Sequence, residues 1–545
     1  MSTSASPRVA YFCMEYGLDA SFPIYSGGLG ILAGDYMKSA GDLCLPVVGI
    51  GLLWNQGYTV QTIDARGNPV DAYPLTPREA IEPVAAELEV TIGDRAVPLR
   101  AFRVTRFLRS TLYLLEPARQ EDRWITARLY GGGDEDRLAQ EIVLGVGGVR
   151  LLQALGQRPD VYHFNEGHAV FAGLELVSQA RARGLALPAA IAEVRPHIVF
   201  TTHTPVAAGN EVHPLALMRR MGATLDFSDA ELAALGGAPF SMTVAGLRLA
   251  CRANAVAALH GETARAMWEH VSGGSPIESI TNGVHVPTWQ DPRIRAAAAP
   301  EREPAERREA LGRAHEVAKA ELLALIAART GVALSPTALL VGFARRAAPY
   351  KRADLIFTEP ERLDRWFADN RLQLVFSGKA HPADARGKAM VSALVAATRR
   401  WPEHVVFLEN YDMVLGAALT RGCDVWLNNP RRPLEASGTS GMKAAMNGVP
   451  NVSILDGWWP EGCEHGVTGW QIGDGTEVHV EGGCAESDAR DAAALYHVLG
   501  DEVLPRFERD RDAWLATMDA SIAMAAWRFS SNRMVDDYYR RLYSR

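Results

Sequence analysis

Short apolar runs rich in β-branched residues recur along this chain, and most stop abruptly at a glycine, asparagine, histidine or charged residue. Val9-Ala10-Tyr11-Phe12, Val161-Tyr162-His163-Phe164 and Ile198-Val199-Phe200-Thr201 lie in the first part of the chain. Leu339-Leu340-Val341-Gly342-Phe343, Leu372-Gln373-Leu374-Val375-Phe376, Val405-Val406-Phe407-Leu408, Asp424-Val425-Trp426-Leu427 and Val452-Ser453-Ile454-Leu455 follow later. Between the runs are segments of helical spacing, such as 136–155 with Leu138, Ile142, Val143, Val146 and Leu151. Alternating strand and helix signals specify α/β architecture, with parallel sheets covered by helices on both faces. Such sheets bind ligands beyond the carboxyl ends of their strands, so the residues that end each run are the informative ones.

At 545 residues the chain exceeds one ordinary core. The Ala/Glu/Arg-rich segment 296–320, with Ala299-Pro300-Glu301-Arg302-Glu303-Pro304, has the composition of a linker entering a surface helix. Strand signals on either side of it predict one doubly wound Rossmann-like domain over 1–280 and a second over 281–515. Residues 516–545 are expected to be helical and to pack back on the first domain. Alternating patterns in Leu88-Glu89-Val90-Thr91-Ile92 and 99–104 predict an antiparallel insertion near 58–115. Hydrophobic content of 48% without a long apolar segment describes a soluble protein, and Met1–Arg8 lacks an export signal, so a cytoplasmic location is expected. The six cysteines are scattered without a C-x-x-C pair, which predicts reduced thiols and no zinc site. A net charge of −8 disfavours nucleic acid as a partner.

Several polar constellations follow predicted strands. Tyr25-Ser26-Gly27-Gly28-Leu29-Gly30-Ile31-Leu32-Ala33 opens a helix, where backbone amides favour phosphate. It fits the loose G-x-G-x-x-A pattern, but no acidic residue occurs in 47–54, where a dinucleotide site needs one. Arg345, Arg346, Lys351 and Arg352 cluster after one strand, a costly grouping unless an anion neutralises it. Asn165-Glu166-Gly167-His168 and Thr201-Thr202-His203-Thr204-Pro205 end two strands and mark a polar pocket; without a third ligand they do not mark a metal. Ile280-Thr281-Asn282-Gly283-Val284-His285 reads as an Asn-Gly turn. In Glu435-Ala436-Ser437-Gly438-Thr439-Ser440-Gly441-Met442-Lys443, a carboxylate, hydroxyls and glycines lead into a lysine at a helix start. A lysine there can hold an aldehyde cofactor as a Schiff base.

Taken in order, these motifs resemble the α-glucan phosphorylase family, and the 435–443 segment is similar to its pyridoxal-phosphate (PLP) segment. The resemblance runs from the N-terminus to at least Trp458 and points to a short bacterial form. It implies two domains facing each other across a cleft in the GT-B glycosyltransferase arrangement. By position in the motifs, Lys443 corresponds to the PLP lysine, and Gly28, Tyr411 and Thr439 to cofactor-binding residues. Arg345, Arg346, Lys351 and His203 correspond to catalytic residues around the phosphates and the sugar. Glu435, Ser437, Gly438, Asn282 and His168 correspond to substrate-binding positions. Two departures stand out: Arg345 replaces a lysine, and Asp412 occupies a position where many members have arginine. Arg431 and Arg432 are candidates to supply the charge that Asp412 does not.

The implied reaction is reversible, retaining phosphorolysis of an α-1,4-glucan or maltodextrin to α-glucose 1-phosphate, with PLP as cofactor and no metal. A homodimer is expected by the same resemblance. Two rivals remain: a nucleotide-sugar-dependent, glucan-synthase-like glycosyltransferase without PLP, and a non-catalytic glucan-binding homologue.

Overall fold

The structure, a computed structural model, describes residues 6–206, 209–476 and 484–544. Met1–Ala5 and the side chain of Cys484 lie outside them. The chain divides into two compact units. The first contains the chain up to Tyr58, Tyr73–Asn282 and everything from Ser531 on; the second contains Thr59–Ala72 and Gly283–Ser530.

The first unit is built on a nine-stranded sheet. Its strands are β1 (Val9–Phe12), β2 (Val47–Leu52), β3 (Ile81–Ile92), β4 (Arg95–Val104), β5 (Thr111–Pro117), β6 (Val161–Asn165), β7 (Ile198–Thr201), β8 (Arg252–Ala255) and β9 (Ile277–Ser279). They lie in the order β9-β8-β7-β6-β1-β2-β5-β4-β3. The pairs from β9 through to β5 are parallel, while β5-β4-β3 form an antiparallel meander at one edge. The strand order reverses between β1 and β6, which opens a crevice beyond their carboxyl ends.

The helix Gly28–Asp42 follows β1 and packs against the backbone very closely. A Cβ on Gly34 would stand 2.0 Å from the Gly17 carbonyl oxygen, so only glycine permits that approach. The final segment joins the same core through Met534, Val535, Tyr538, Leu542 and Tyr543. There Tyr543 Oη meets Tyr36 Oη at 2.9 Å and His163 Nδ1 at 2.6 Å.

The second unit carries six parallel strands: β10 (Leu339–Ala344), β11 (Leu372–Ser377), β12 (Val405–Leu408), β13 (Val425–Asn428), β14 (Asn451–Ile454) and β15 (Gly469–Ile472). Their order, β12-β11-β10-β13-β14-β15, is that of a dinucleotide-binding fold and turns about between β10 and β13. Successive residues feed two separate cores. Leu339, Val341 and Phe343 join one with Leu374, Phe376 and Leu427, while Leu340 and Ala344 join the other with Val375 and Trp426. That period of two places packed side chains on both faces of the sheet.

The 58–115 stretch is not one element. Residues 59–72 form a hairpin, Val60–Ile63 against Pro69–Ala72, belonging to the second unit. Gln61 accepts from Ala380 N there, and Asp71 pairs with Lys388 at 2.6 Å. Residues 73–115 continue into the first unit's sheet. At the other end, Trp514, Leu515 and Met518 of the helix Arg511–Ala525 pack in the second unit's core, so the chain changes units at Ser531 and not at 516. Among the described residues, no helix is long and apolar enough to cross a membrane.

Candidate active site

In the second unit, the loops after β10 and β13 meet where the strand order reverses. Arg345 leaves β10 buried and donates from Nη1 to Glu435 Oε2 at 3.1 Å. Lys351, also buried, donates to the same oxygen at 2.5 Å. Burial alone would raise the Glu435 pKa, but Lys351 and Arg345 outweigh it and hold the carboxyl down at about 2. Arg346 is exposed and forms no ion pair among the described residues. Three cations therefore surround one carboxylate, which leaves positive charge for an incoming anion. Arg352 is not part of this set. It binds the Asn429 and Pro430 carbonyls and pairs with Asp488 and Asp491, bracing the two loops.

Gly438 has φ +85 and caps the helix Thr439–Ala445, and a Cβ there would lie 3.3 Å from Arg345 Nη2. Lys443 is buried on this helix, with Nζ 3.3 Å from the centroid of the Trp289 ring. Trp289 is fixed in turn: its carbonyl accepts from Arg421 Nε and Asn447 Nδ2, and Asn447 Nδ2 also reaches the Lys443 carbonyl. An amine buried against an aromatic ring can take an aldehyde, and the cations gathered by the Glu435 loop can take a phosphate. The buried Ser437 Oγ, Asn428 Oδ1 and Asn429 Oδ1 have no partner among the described residues, as expected of groups waiting for a ligand.

The Glu435 loop is clamped from behind. Asp456 accepts from Glu435 N at Oδ2 and from Gly457 N at Oδ1, both at 2.9 Å, and Trp458 N donates to the Ser437 carbonyl. Burial pushes the Asp456 carboxyl up to about 7. Tyr411 is half-buried beside Gly416, 3.1 Å from where a Cβ would be, and burial pushes its phenol up to about 12. Asp412 serves as a helix cap, accepting from Leu415 N at 2.8 Å. Arg431 is held by Asp488 and Arg432 by the Leu455 carbonyl, so neither arginine is free to replace an arginine at 412.

In the first unit, the loops after β1, β6 and β7 converge at the other point of reversal. Glu15 organises the glycine loop by accepting from Ser26 N and Gly27 N and from the Tyr130 hydroxyl. Gly30 has no room for a Cβ, which would meet Glu15 Oε2 at 2.6 Å, whereas Gly28 is exposed and open at the helix start. Glu166 has φ +86, a backbone strain uncommon outside glycine. Its carboxylate accepts from Gly167 N, His203 N and the Thr204 hydroxyl. His203 Nε2 lies 2.7 Å from Asn165 Oδ1, and His168 Nε2 accepts from Met14 N at 3.1 Å. Burial depresses both histidines to about 3, so they are neutral and add no charge. Asn282 is buried at the end of the unit, its carbonyl accepting from Arg533 and its Oδ1 without a partner among the described residues. Among the described residues no group of three His, Cys, Asp or Glu side chains could hold a metal ion.

Sequence inspection missed Trp289, Asp456 and Glu15. Each acts through contacts with segments distant in the chain.

Residues 290–461 match the carbohydrate phosphorylase family. The maltodextrin phosphorylase of Thermococcus litoralis is 41% identical, over 98% of this chain and 70% of its own length. The glycogen phosphorylase of Mycobacterium tuberculosis (strain CDC 1551 / Oshkosh) is 38% identical, over 98% of this chain and 70% of its own. An uncharacterized protein of Methanocaldococcus jannaschii is 33% identical over 98% of this chain and 99% of itself. With whole-chain similarity at this level, the chain belongs to the carbohydrate phosphorylase family.

Proposed function

We propose that the protein is an α-1,4-glucan phosphorylase that transfers the terminal glucosyl unit of a glycogen or maltodextrin chain to inorganic phosphate, reversibly and with retention at C1. We assign PLP as its cofactor, which the Lys443 amine, beside the Trp289 ring, would hold. When bound, PLP would supply acid–base chemistry through its phosphate group.

The chain's own residues do the rest. Two phosphates brought together need a dense cationic shell, and Arg345, Arg346 and Lys351 provide it. Glu435 neutralises Arg345 and Lys351 between turnovers, and an arriving phosphate competes with it for them. We assign Ser437 and Gly438 as hydrogen-bonding groups for glucosyl hydroxyls, and in the first unit Asn282, His168 and His203 as sugar-binding positions, the histidines acting as neutral groups. We assign Thr439 and Tyr411 to the cofactor as well, with Gly28 as an amide donor at the start of its helix. Retention requires phosphate to enter on the face that the leaving chain vacates, so positioning and electrostatics carry the reaction and no glycosidase-type carboxylate pair is needed.

One observation carries the proposal: a buried lysine amine held against an indole ring, one helical turn beyond a loop that gathers cations. Absorbance spectroscopy of the purified protein, followed by borohydride reduction and peptide mass analysis, tests it. A PLP adduct on Lys443 is expected. Active protein free of PLP would overturn it in favour of a nucleotide-sugar-dependent enzyme.

A further inference from the structure

Behind the amino ends of β6, β7 and β8, at the opposite end of the sheet from the histidine loops, the first unit has a cavity of about 440 Å³. That volume lies in the range of small-molecule sites. Val161, Val199, Leu542 and Tyr543 line it with apolar surface, and two guanidinium groups, Arg195 and Arg252, reach it from the rim. Arg195 donates to the Ala250 and Gly273 carbonyls, and Arg252 donates to the Arg541 carbonyl. Among the described residues neither arginine forms an ion pair. Carboxylates in the vicinity are engaged, Glu278 by Arg541 and Asp160 by Arg8.

Carbonyl contacts satisfy some of the N–H groups but cancel neither charge, and each guanidinium keeps donors to spare. The Tyr543 wall is fixed by its bonds to Tyr36 and His163. Cys251 also lines the cavity, and burial pushes its thiol up, in keeping with an apolar interior.

We propose that this cavity binds an amphipathic anion, with an aromatic or aliphatic body on the Val161–Val199–Leu542–Tyr543 wall and a carboxylate or sulfonate head on Arg195 and Arg252. A sugar phosphate suits the site poorly, because most of its hydroxyls would face valine and leucine side chains. The site is thus chemically distinct from one that takes glucosyl units.

Titration with 8-anilinonaphthalene-1-sulfonate tests this in the full-length protein. One molecule per chain is expected to bind, to be displaced by decanoate, and not to be displaced by glucose 1-phosphate. The Arg195→Ala/Arg252→Ala double variant and the Ala192→Phe variant, which fills the mouth from an exposed helix position, should each weaken binding by about tenfold or more. Thermal melting identifies any variant that fails to fold. Independently, in Cys44→Ser protein, decanoate should slow alkylation of Cys251 by N-ethylmaleimide, read by peptide mass. Unchanged affinity in both folded variants, displacement by glucose 1-phosphate, or no protection of Cys251 would overturn the proposal.

Discussion

Glu435 receives Arg345 and Lys351 on a single oxygen, and its low pKa ties that contact to acid stability. The carboxyl falls from an ordinary 4.5 to about 2 on folding, a difference worth about 3 kcal/mol. Because the folded value is the lower one, this contribution is present in full above about pH 4.5 and is lost as pH falls towards 2. In urea titrations, Glu435→Gln should show a smaller loss of stability across that window than wild type. At pH 7 the same substitution leaves two buried cations without a counter-charge, which costs about 3–5 kcal/mol. Inorganic phosphate should restore part of that loss and raise the variant's melting temperature more than the wild type's. Equal phosphate effects in the two proteins would count against an anion site at Arg345 and Lys351. The loop was legible at this scale because its residue types carry chemistry in themselves. Arg352 shows the limit: by sequence it is a fourth cation, yet its partners Asn429, Pro430, Asp488 and Asp491 make it a brace.

Elements translate these contacts into position. Asp412 interrupts the family's commoner arginine, and the helix Met413–Gly422 gives it a different task as N-cap. Asp412→Asn should keep the cap, whereas Asp412→Ala should lower unfolding free energy by about 1 kcal/mol. Equal stabilities would show that the cap bond is not formed in solution. Gly457, with φ +59, lies where a Cβ would be 2.3 Å from the Ser437 carbonyl oxygen. Gly457→Ala is expected to push the 435–437 loop out of place, lowering phosphorolysis by about 100-fold while costing only about 1–3 kcal/mol of stability. Paired rate and denaturation measurements separate the two effects. The strands themselves were readable, since β10 to β14 grow from the apolar runs seen in sequence. The hairpin 59–72 was assigned with its neighbours because nothing local distinguishes it. Its place is set by Gln61 and Asp71 meeting Ala380 and Lys388.

The two units are discontinuous in sequence, and no local signal marks the points where the chain changes from one to the other. Segment 531–544 completes the first unit's core with Met534, Val535, Tyr538, Leu542 and Tyr543. At about 1.5–3 kcal/mol for each buried apolar side chain, removing it forfeits an amount comparable to a whole domain's stability of about 5–15 kcal/mol. A chain ending at Ser530 should therefore leave the first unit unfolded, detectable as rapid proteolysis within 73–282. Wild-type resistance in that region would contradict the packing described. The central claim is transfer of a glucosyl unit to phosphate by this protein with PLP anchored at Lys443. It is tested most directly by measuring glucose 1-phosphate released from maltodextrin and inorganic phosphate by wild type and Lys443→Ala, each with PLP added. Release by wild type and none by the variant is the expected result; no release by PLP-loaded wild type, or equal release by both, would contradict it.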